Sequence, residues 1–425
     1  MANNTPASFR QLVIYEVFVR NHSAEGTFAA VAADLPRLKG LGVDVVWLMP
    51  IHPIGQAQRK GSYGSPYAIA DYRAVHPDYG SERDLAELAD AAHRLGLKLM
   101  IDVVFNHTSP DSVLAQSHPD WFYRDAAGQP IPRHADWSDV VDLRHPNPAL
   151  TAYLIESLLK WVRLGIDGFR CDVASLVPLA FWQQARQAVA GEKPDFIWLA
   201  ESVHLSFLRS VRRQGHLAHS DGELYAAFDI TYDYDIHHLW RECVAGQRPL
   251  RDYAAALAWQ EAAYPANYIK LRFAENHDQP RIAGLLPSPA RSRCWTALTA
   301  FLPGAFLIYG GQETGTPHLP ALFEKDPVIW PAEPPLSDFL ARLAALKKHP
   351  ATAGQFDVLA GDSHFQARWQ RDGGQLYGIF NLSGISETVV VQLPDGRYTN
   401  LLDDRPVTVT GGRLSLPPEP VIVAA

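Results

Sequence analysis

The chain has 425 residues, 47% hydrophobic and 20% charged, enough apolar material for one large domain and a smaller one. A formal charge of −8 and a pI near 6.1 argue against a polyanion such as nucleic acid as partner. No apolar run of about 18 residues occurs, so no membrane span is expected.

The opening Met1-Ala-Asn-Asn-Thr-Pro-Ala-Ser lacks the basic and apolar regions of a signal peptide. The three cysteines, Cys171, Cys243 and Cys294, show no metal-type spacing. They read as reduced thiols of a cytoplasmic protein.

Residues 12–19 read as a first strand. Thr27 is placed to cap a helix with Phe28, Val31, Leu35 and Leu38 on one face, ending near Gly40 and Gly42. A second strand at 43–49 leads into a long Gly/Pro/Tyr-rich loop. Ser81 and Asp84 then form a capping box for a helix through Leu85, Leu88 and Leu95, closed by Gly96. The third strand, 97–105, opens an insertion over 106–145, followed by a helix carrying Leu150, Leu154, Leu158 and Trp161.

The next strand lies within Gly165-Ile-Asp-Gly-Phe-Arg-Cys-Asp-Val-Ala-Ser175. Period-2 alternation puts Arg170 and Asp172 on one face, opposite Phe169 and Cys171. Burying a carboxylate with a guanidinium is costly unless they are paired or used. Two readings stand on this stretch alone: a structural ion pair in a barrel wall, or a catalytic Asp held by Arg.

Further strands are expected at 196–200, 224–230, 268–273 and 305–309. This β-α alternation, repeated eight times, predicts an α/β fold, a (β/α)8 TIM barrel over residues 1–345. From about Gln355 the pattern changes. Short runs at 364–370, 375–380, 387–392 and 418–423, separated by turn residues, predict a small C-terminal antiparallel β domain, a β-sandwich over 346–425.

In such a barrel the chemistry sits where strands end and βα loops begin. Strand three ends in Asp102-Val-Val-Phe-Asn-His-Thr108, and strand four supplies Arg170 and Asp172. Strand five ends at Glu201 and strand seven at Ala274-Glu-Asn-His-Asp278. Carboxylates converging on one mouth suggest glycoside hydrolysis, with one ionised and another protonated. Asp172, beside Arg170, suits the ionised nucleophile. Glu201, after the apolar Trp198 and Leu199, suits the general acid. Asp278 would brace sugar hydroxyls, with His107 and His277 as donors.

These blocks resemble the signature regions of the α-amylase superfamily, glycoside hydrolase family 13. Asp102-Val-Val-Phe-Asn-His107 resembles the first region, Gly168-Phe-Arg-Cys-Asp172 the second, Glu201 the third and Asn276-His-Asp278 the fourth. Pro66-Tyr67-Ala68…Asp71-Tyr72 resembles the segment after strand two, and Pro303-Gly304…Tyr309-Gly-Gly-Gln-Glu313 the eighth-strand segment. The resemblance implies a retaining mechanism on α-glucosidic bonds, with Asp172 attacking, Glu201 protonating the leaving oxygen and Asp278 stabilising the transition state. It implies Tyr67 as an aromatic platform under the sugar and, for retention, carboxyls roughly 5–5.5 Å apart. The candidate substrate-binding set is Tyr67, Asp102, His107, Arg170, His277 and Arg281. The expected partner is an α-glucan or malto-oligosaccharide.

Departures from the family pattern carry consequences. Ala68 replaces an Asp of the segment after strand two, and the insertion is short. Many relatives bind calcium through an Asn like Asn106, an Asp like Asp142 and a His soon after the nucleophile, but Leu176 stands at that last position. No cofactor and no full calcium cage are therefore expected; the alternative is a calcium near Asn106 and Asp142 whose shell waters or carbonyls complete. Trp121, Phe122 and Trp137 read either as aglycone contacts or as the insertion's own core.

The leading expectation is a hydrolase of α-1,4-glucans. The alternative is a maltosyltransferase or trehalose-synthase-like isomerase. A non-catalytic relative would usually lack the carboxylates kept here.

Overall fold

Eight parallel strands close into a barrel in spatial order 1-8-7-6-5-4-3-2, in a computed structural model that describes residues 4–133, 137–360 and 363–425. In chain order they are Val13–Val17, Val45–Leu48, Lys98–Val103, Gly168–Cys171, Ile197–Ala200, Ile230–Tyr232, Lys270–Arg272 and Ala305–Tyr309. Alternation sorts their side chains into two layers. Ile14, Val45, Trp47, Met100, Leu199, Ile230 and Leu271 fill the barrel interior. Phe169 and Cys171 face outward into the layer between strands and helices.

The helices form where capping and periodicity place them. Thr27 accepts from the Ala30 N–H and opens Phe28–Gly40, which buries Phe28, Val31, Leu35 and Leu38. The Ser81–Asp84 capping box opens Glu82–Arg94. Pro148–Arg163 buries Leu150, Leu154, Leu158 and Trp161.

Strand six departs from expectation. The apolar run at 224–230 is not a strand: Ser220 and Glu223 form a capping box, and Asp221–Leu224 turns helical. Strand six is Ile230–Tyr232, paired with both neighbours. Local capping satisfies backbone groups that the apolar pattern would have assigned to a ladder.

The 106–145 insertion is anchored by a two-residue ladder, His107–Thr108 against Val141–Asp142. Beyond the barrel, helix Ser337–Lys347 runs across the expected boundary at 345–346. An antiparallel four-stranded sheet follows, of Gln355–Ala360, Phe365–Arg371, Gly374–Phe380 and Val421–Ala424. Two two-stranded sheets complete it, Thr388–Val390 with Arg413–Ser415 and Gly396–Thr399 with Pro406–Val409. Among the described residues no helix is long and apolar enough to cross a membrane.

Candidate active site

Arg170 organises the barrel mouth. Strand register sets it beside Asp102 on one side and Leu199 on the other. Its Nη1 donates to both Asp102 oxygens at 3.1 Å and to Asp172 Oδ1 at 3.0 Å. Its Nη2 lies 2.9 Å from Glu201 Oε1, off the hydrogen-bond axis. Three carboxylates thus share one fully buried guanidinium, which three rings also surround: Trp47 at 5.3 Å, Tyr232 at 5.3 Å and Tyr67 at 5.7 Å.

The backbone turns sharply after Asp172. Val173 has φ +34°, a left-handed conformation that costs a β-branched residue free energy. The turn aims the Val173 N–H at Glu201 Oε2, 2.7 Å away. The strain therefore falls where it ties nucleophile candidate to acid candidate.

Protonation follows from burial and partners. Burial pushes Glu201 up to about 7, with the charges of Asp172 and Asp278 adding to it and Arg170 opposing. Burial also raises Asp172, and Arg170, through its charge and its direct hydrogen bond, opposes that rise. Arg170 limits the upward push on Asp172 without cancelling it. The aligned bond from Arg170 goes to Asp172 and not to Glu201, which makes Asp172 the better-supported anion.

His277 links the first, second and seventh strands. Burial alone would lower its pKa, but Asp278 and Glu16 at its two ring nitrogens raise it well above the ordinary value. A carboxylate at each ring nitrogen favours the imidazolium form. Nε2 sits 3.2 Å from Asp278 Oδ2 and 2.7 Å from the Tyr67 hydroxyl, which donates onward to Asp102 Oδ2 at 3.3 Å. The Tyr67 ring stacks on His277 at 5.5 Å and 20°. Asp278 is 41% exposed, opening into the cleft. Desolvation raises its pKa, but the His277 charge and hydrogen bond outweigh this and hold it below the usual carboxylate range.

His107 stands on the far side of Asp172, with Nε2 3.8 Å from Oδ2. Burial lowers its pKa and keeps the ring neutral.

Around these groups lies a cleft of about 310 Å³, lined by Tyr67, His107, Asp172, Glu201 and Asp278 with Lys60, Trp137 and Phe323. Arg170, Asp102 and His277 lie beneath it and hold its lining groups. Trp137 does line the cleft, its ring 5.4 Å from His107. Trp121 and Phe122 are buried in the main core instead.

Arg281 is not part of this arrangement. It is buried away from the cleft, paired with Glu275 at 2.5 Å, and donates to the Gly310 carbonyl at 2.7 Å. There it fastens the loop after strand eight.

Several site residues escape sequence reasoning. Glu16 braces His277, and its signal was a lone acid inside an apolar first strand. Lys60 and Asp139 pair at 2.7 Å across the cleft lip, joining segments far apart in sequence. The loops carrying Lys60 and Phe323 are stitched into one wall. The Tyr63 N–H donates to the Phe323 carbonyl at 3.0 Å, the Ser62 N–H to Glu324 Oε1 at 3.0 Å, and Arg20 to the carbonyls of Gly64 and Leu322.

The candidate calcium oxygens do not fit a metal. Arg133 Nε donates to Asp142 Oδ2 at 2.7 Å, and its Nη2 to Asn106 Oδ1 at 2.7 Å. A guanidinium already sits between the two side chains, far short of the roughly 6–8 free oxygens calcium prefers. Leu176 packs with Val203, Leu208 and Val211. Among the described residues no group of three or more His, Cys, Asp or Glu is arranged to hold a metal.

Comparison with known proteins accords with this geometry. The family model for the α-amylase catalytic domain matches residues 6–125 and 114–333, and that for the bacterial α-amylase C-terminal domain matches 357–423. The crystal structure of an α-amylase from Lactobacillus plantarum superposes with a TM-score of 0.95 at 42% identity, covering 99% of this chain and 100% of that one. The α-amylase MalA of Haloarcula japonica is 26% identical over 98% of this chain. An α-1,4-glucan:maltose-1-phosphate maltosyltransferase of Cereibacter sphaeroides is 31% identical over 70%. This chain spans 63% of the former's length and 51% of the latter's. The chain belongs to the α-amylase family, glycoside hydrolase family 13, with a catalytic (β/α)8 barrel followed by a C-terminal β domain.

Proposed function

We propose that the chain is a retaining hydrolase of α-1,4-glucans or malto-oligosaccharides. The observation that carries this reading is the Arg170 guanidinium shared by Asp172 and Glu201, with only Asp172 receiving an aligned bond. Asp172 attacks the anomeric carbon while Glu201, raised to about 7, gives its proton to the leaving glycosidic oxygen. Asp172 loses its charge on forming the glycosyl ester. Its contribution to raising Glu201 then disappears, so Glu201, having given up its proton, stays ionised and can take one from the incoming water. Asp278 and His107 face the sugar hydroxyls, and Tyr67 offers its ring as a platform.

The test is incubation with maltoheptaose, sizing products while the anomeric protons are followed by NMR. Shorter oligosaccharides released as α-anomers support the reading. Initial β-anomers would refute retention.

A second reading, maltosyl transfer, is favoured by the likeness to the maltosyltransferase of Cereibacter sphaeroides over 70% of this chain. Oligosaccharides longer than the substrate, or chain extension when maltose 1-phosphate is supplied, would establish it instead.

A further inference from the structure

The guanidinium between Asn106 and Asp142 does more than fill a space. Arg133 is 8% exposed and Asp142 is fully buried, and the guanidinium also lies 4.8 Å from the Tyr123 ring. Guanidinium nitrogens only donate, so Asn106 must turn its carbonyl oxygen toward Arg133. Its amide nitrogen is then directed at His107 Nδ1, 3.1 Å away. An amide nitrogen also only donates, so Nδ1 must be the bare, accepting nitrogen and the ring proton must sit on Nε2. That is the nitrogen facing Asp172 Oδ2 at 3.8 Å.

Without the guanidinium, the amide could rotate by half a turn, present its oxygen to Nδ1 and move the proton there. Nε2 would then face a carboxylate with a lone pair, a repulsive arrangement. Backbone pairing already clamps the two segments, since His107 pairs with Asp142 in the two-residue ladder. The orientation of the amide, however, is decided by side chains alone.

We propose that Arg133 serves as a built-in cation at the joint between insertion and barrel, and acts as a positioning residue that fixes His107 with its Nε2–H toward Asp172. The chain Arg133–Asn106–His107–Asp172 carries the information from the insertion to the attacking carboxylate. The same guanidinium makes this joint independent of calcium.

The test uses full-length protein labelled with 15N at histidine. The His107 signals are assigned by their loss in His107→Gln. In the wild type, long-range 1H–15N correlation should show Nδ1 unprotonated and Nε2 protonated, and Tm should be the same with chelator as with millimolar calcium. In Arg133→Gln the His107 signals should shift toward mixed tautomers, and kcat should fall about 10–100-fold with a smaller change in KM, the scale of lost positioning contacts around a reacting group.

Arg133→Lys, which keeps the charge but cannot fork between both oxygens, should lie between the two. Protonation at Nδ1 in the wild type, or a chelator-dependent fall in its Tm, would overturn the proposal even if Arg133→Gln does not fold. So would a folded Arg133→Gln with an unchanged tautomer. The tautomer and Tm readings do not depend on which glycosidic reaction the chain performs, so they separate this proposal from the hydrolase reading.

Discussion

Four acids, Asp102, Asp172, Glu201 and Asp278, meet Arg170 and two histidines at the barrel mouth, and their differences decide which substitution harms what. Asp172→Asn removes the attacking oxygen but leaves Arg170 held by Asp102 at 3.1 Å and near Glu201. The expected result is a fall in kcat of several orders of magnitude, about 10⁴-fold or more, with Tm nearly unchanged. Calorimetry beside kinetics checks it, and loss of folding would point back to a purely structural ion pair.

Glu201 works protonated in the first step, and its pKa is raised to about 7. The protonated fraction falls as pH rises through that value, so kcat/KM should decline on the alkaline side with an apparent pKa near 7. In Glu201→Gln that alkaline limb should vanish from the residual activity. Poor leaving groups should suffer far more than aryl glycosides. At this scale the strand ends made the acids, His107, His277 and Arg170 readable. Arg281 turns to Glu275 and the Gly310 carbonyl, because a position in a loop does not by itself fix which way the side chain points.

At the scale of elements, two arrangements carry distinct expectations. The wall of the cleft depends on Gly61, whose φ is +62°, and a Cβ there would come within 2.6 Å of Glu324 Oε1 and 2.7 Å of the Phe323 carbonyl. Gly61→Ala should therefore push the loop bearing Phe323 out of place. KM for malto-oligosaccharides should rise about 10-fold while turnover of a small aryl glucoside changes little, since the acids lie on other strands; a parallel loss on both substrates would deny the wall a role in binding long chains.

Strand seven carries Lys270, fully buried and bonded to Asp221 at 2.5 Å and Asp235 at 3.0 Å. Lys270→Met leaves two buried carboxylates without their cation and should cost about 3–5 kcal/mol, read as a large drop in denaturation midpoint. Neither arrangement could be read from local pattern. The first joins loops about 260 residues apart, and Lys270 looks, in sequence, like an exposed strand residue.

For the whole molecule, the C-terminal domain is packed against the barrel and not merely tethered to it. Helix Pro289–Phe301 is buried on nearly every side. Trp369 donates to the Phe301 carbonyl at 2.8 Å, Arg291 donates to the Leu382 carbonyl at 2.9 Å, and Arg293 pairs with Glu419. Phe356, Trp369 and Phe380 belong to or pack on the same apolar cluster as the barrel helices. Unfolding of the full chain in calorimetry should be a single transition. Two resolved transitions would mean that this interface contributes little.

The sequence alone determined the (β/α)8 architecture, the small β domain and the strand ends from which the acids project. Those features rest on short-range periodicity, capping and turn chemistry, which any stretch of chain carries within itself. Tertiary structure decided the rest. It alone brought Glu16 to His277, Lys60 to Asp139, and Arg133 between Asn106 and Asp142. Whether a buried charge is paired, and by whom, is a long-range electrostatic question. It is answered only when segments distant in the chain close around one low-dielectric point.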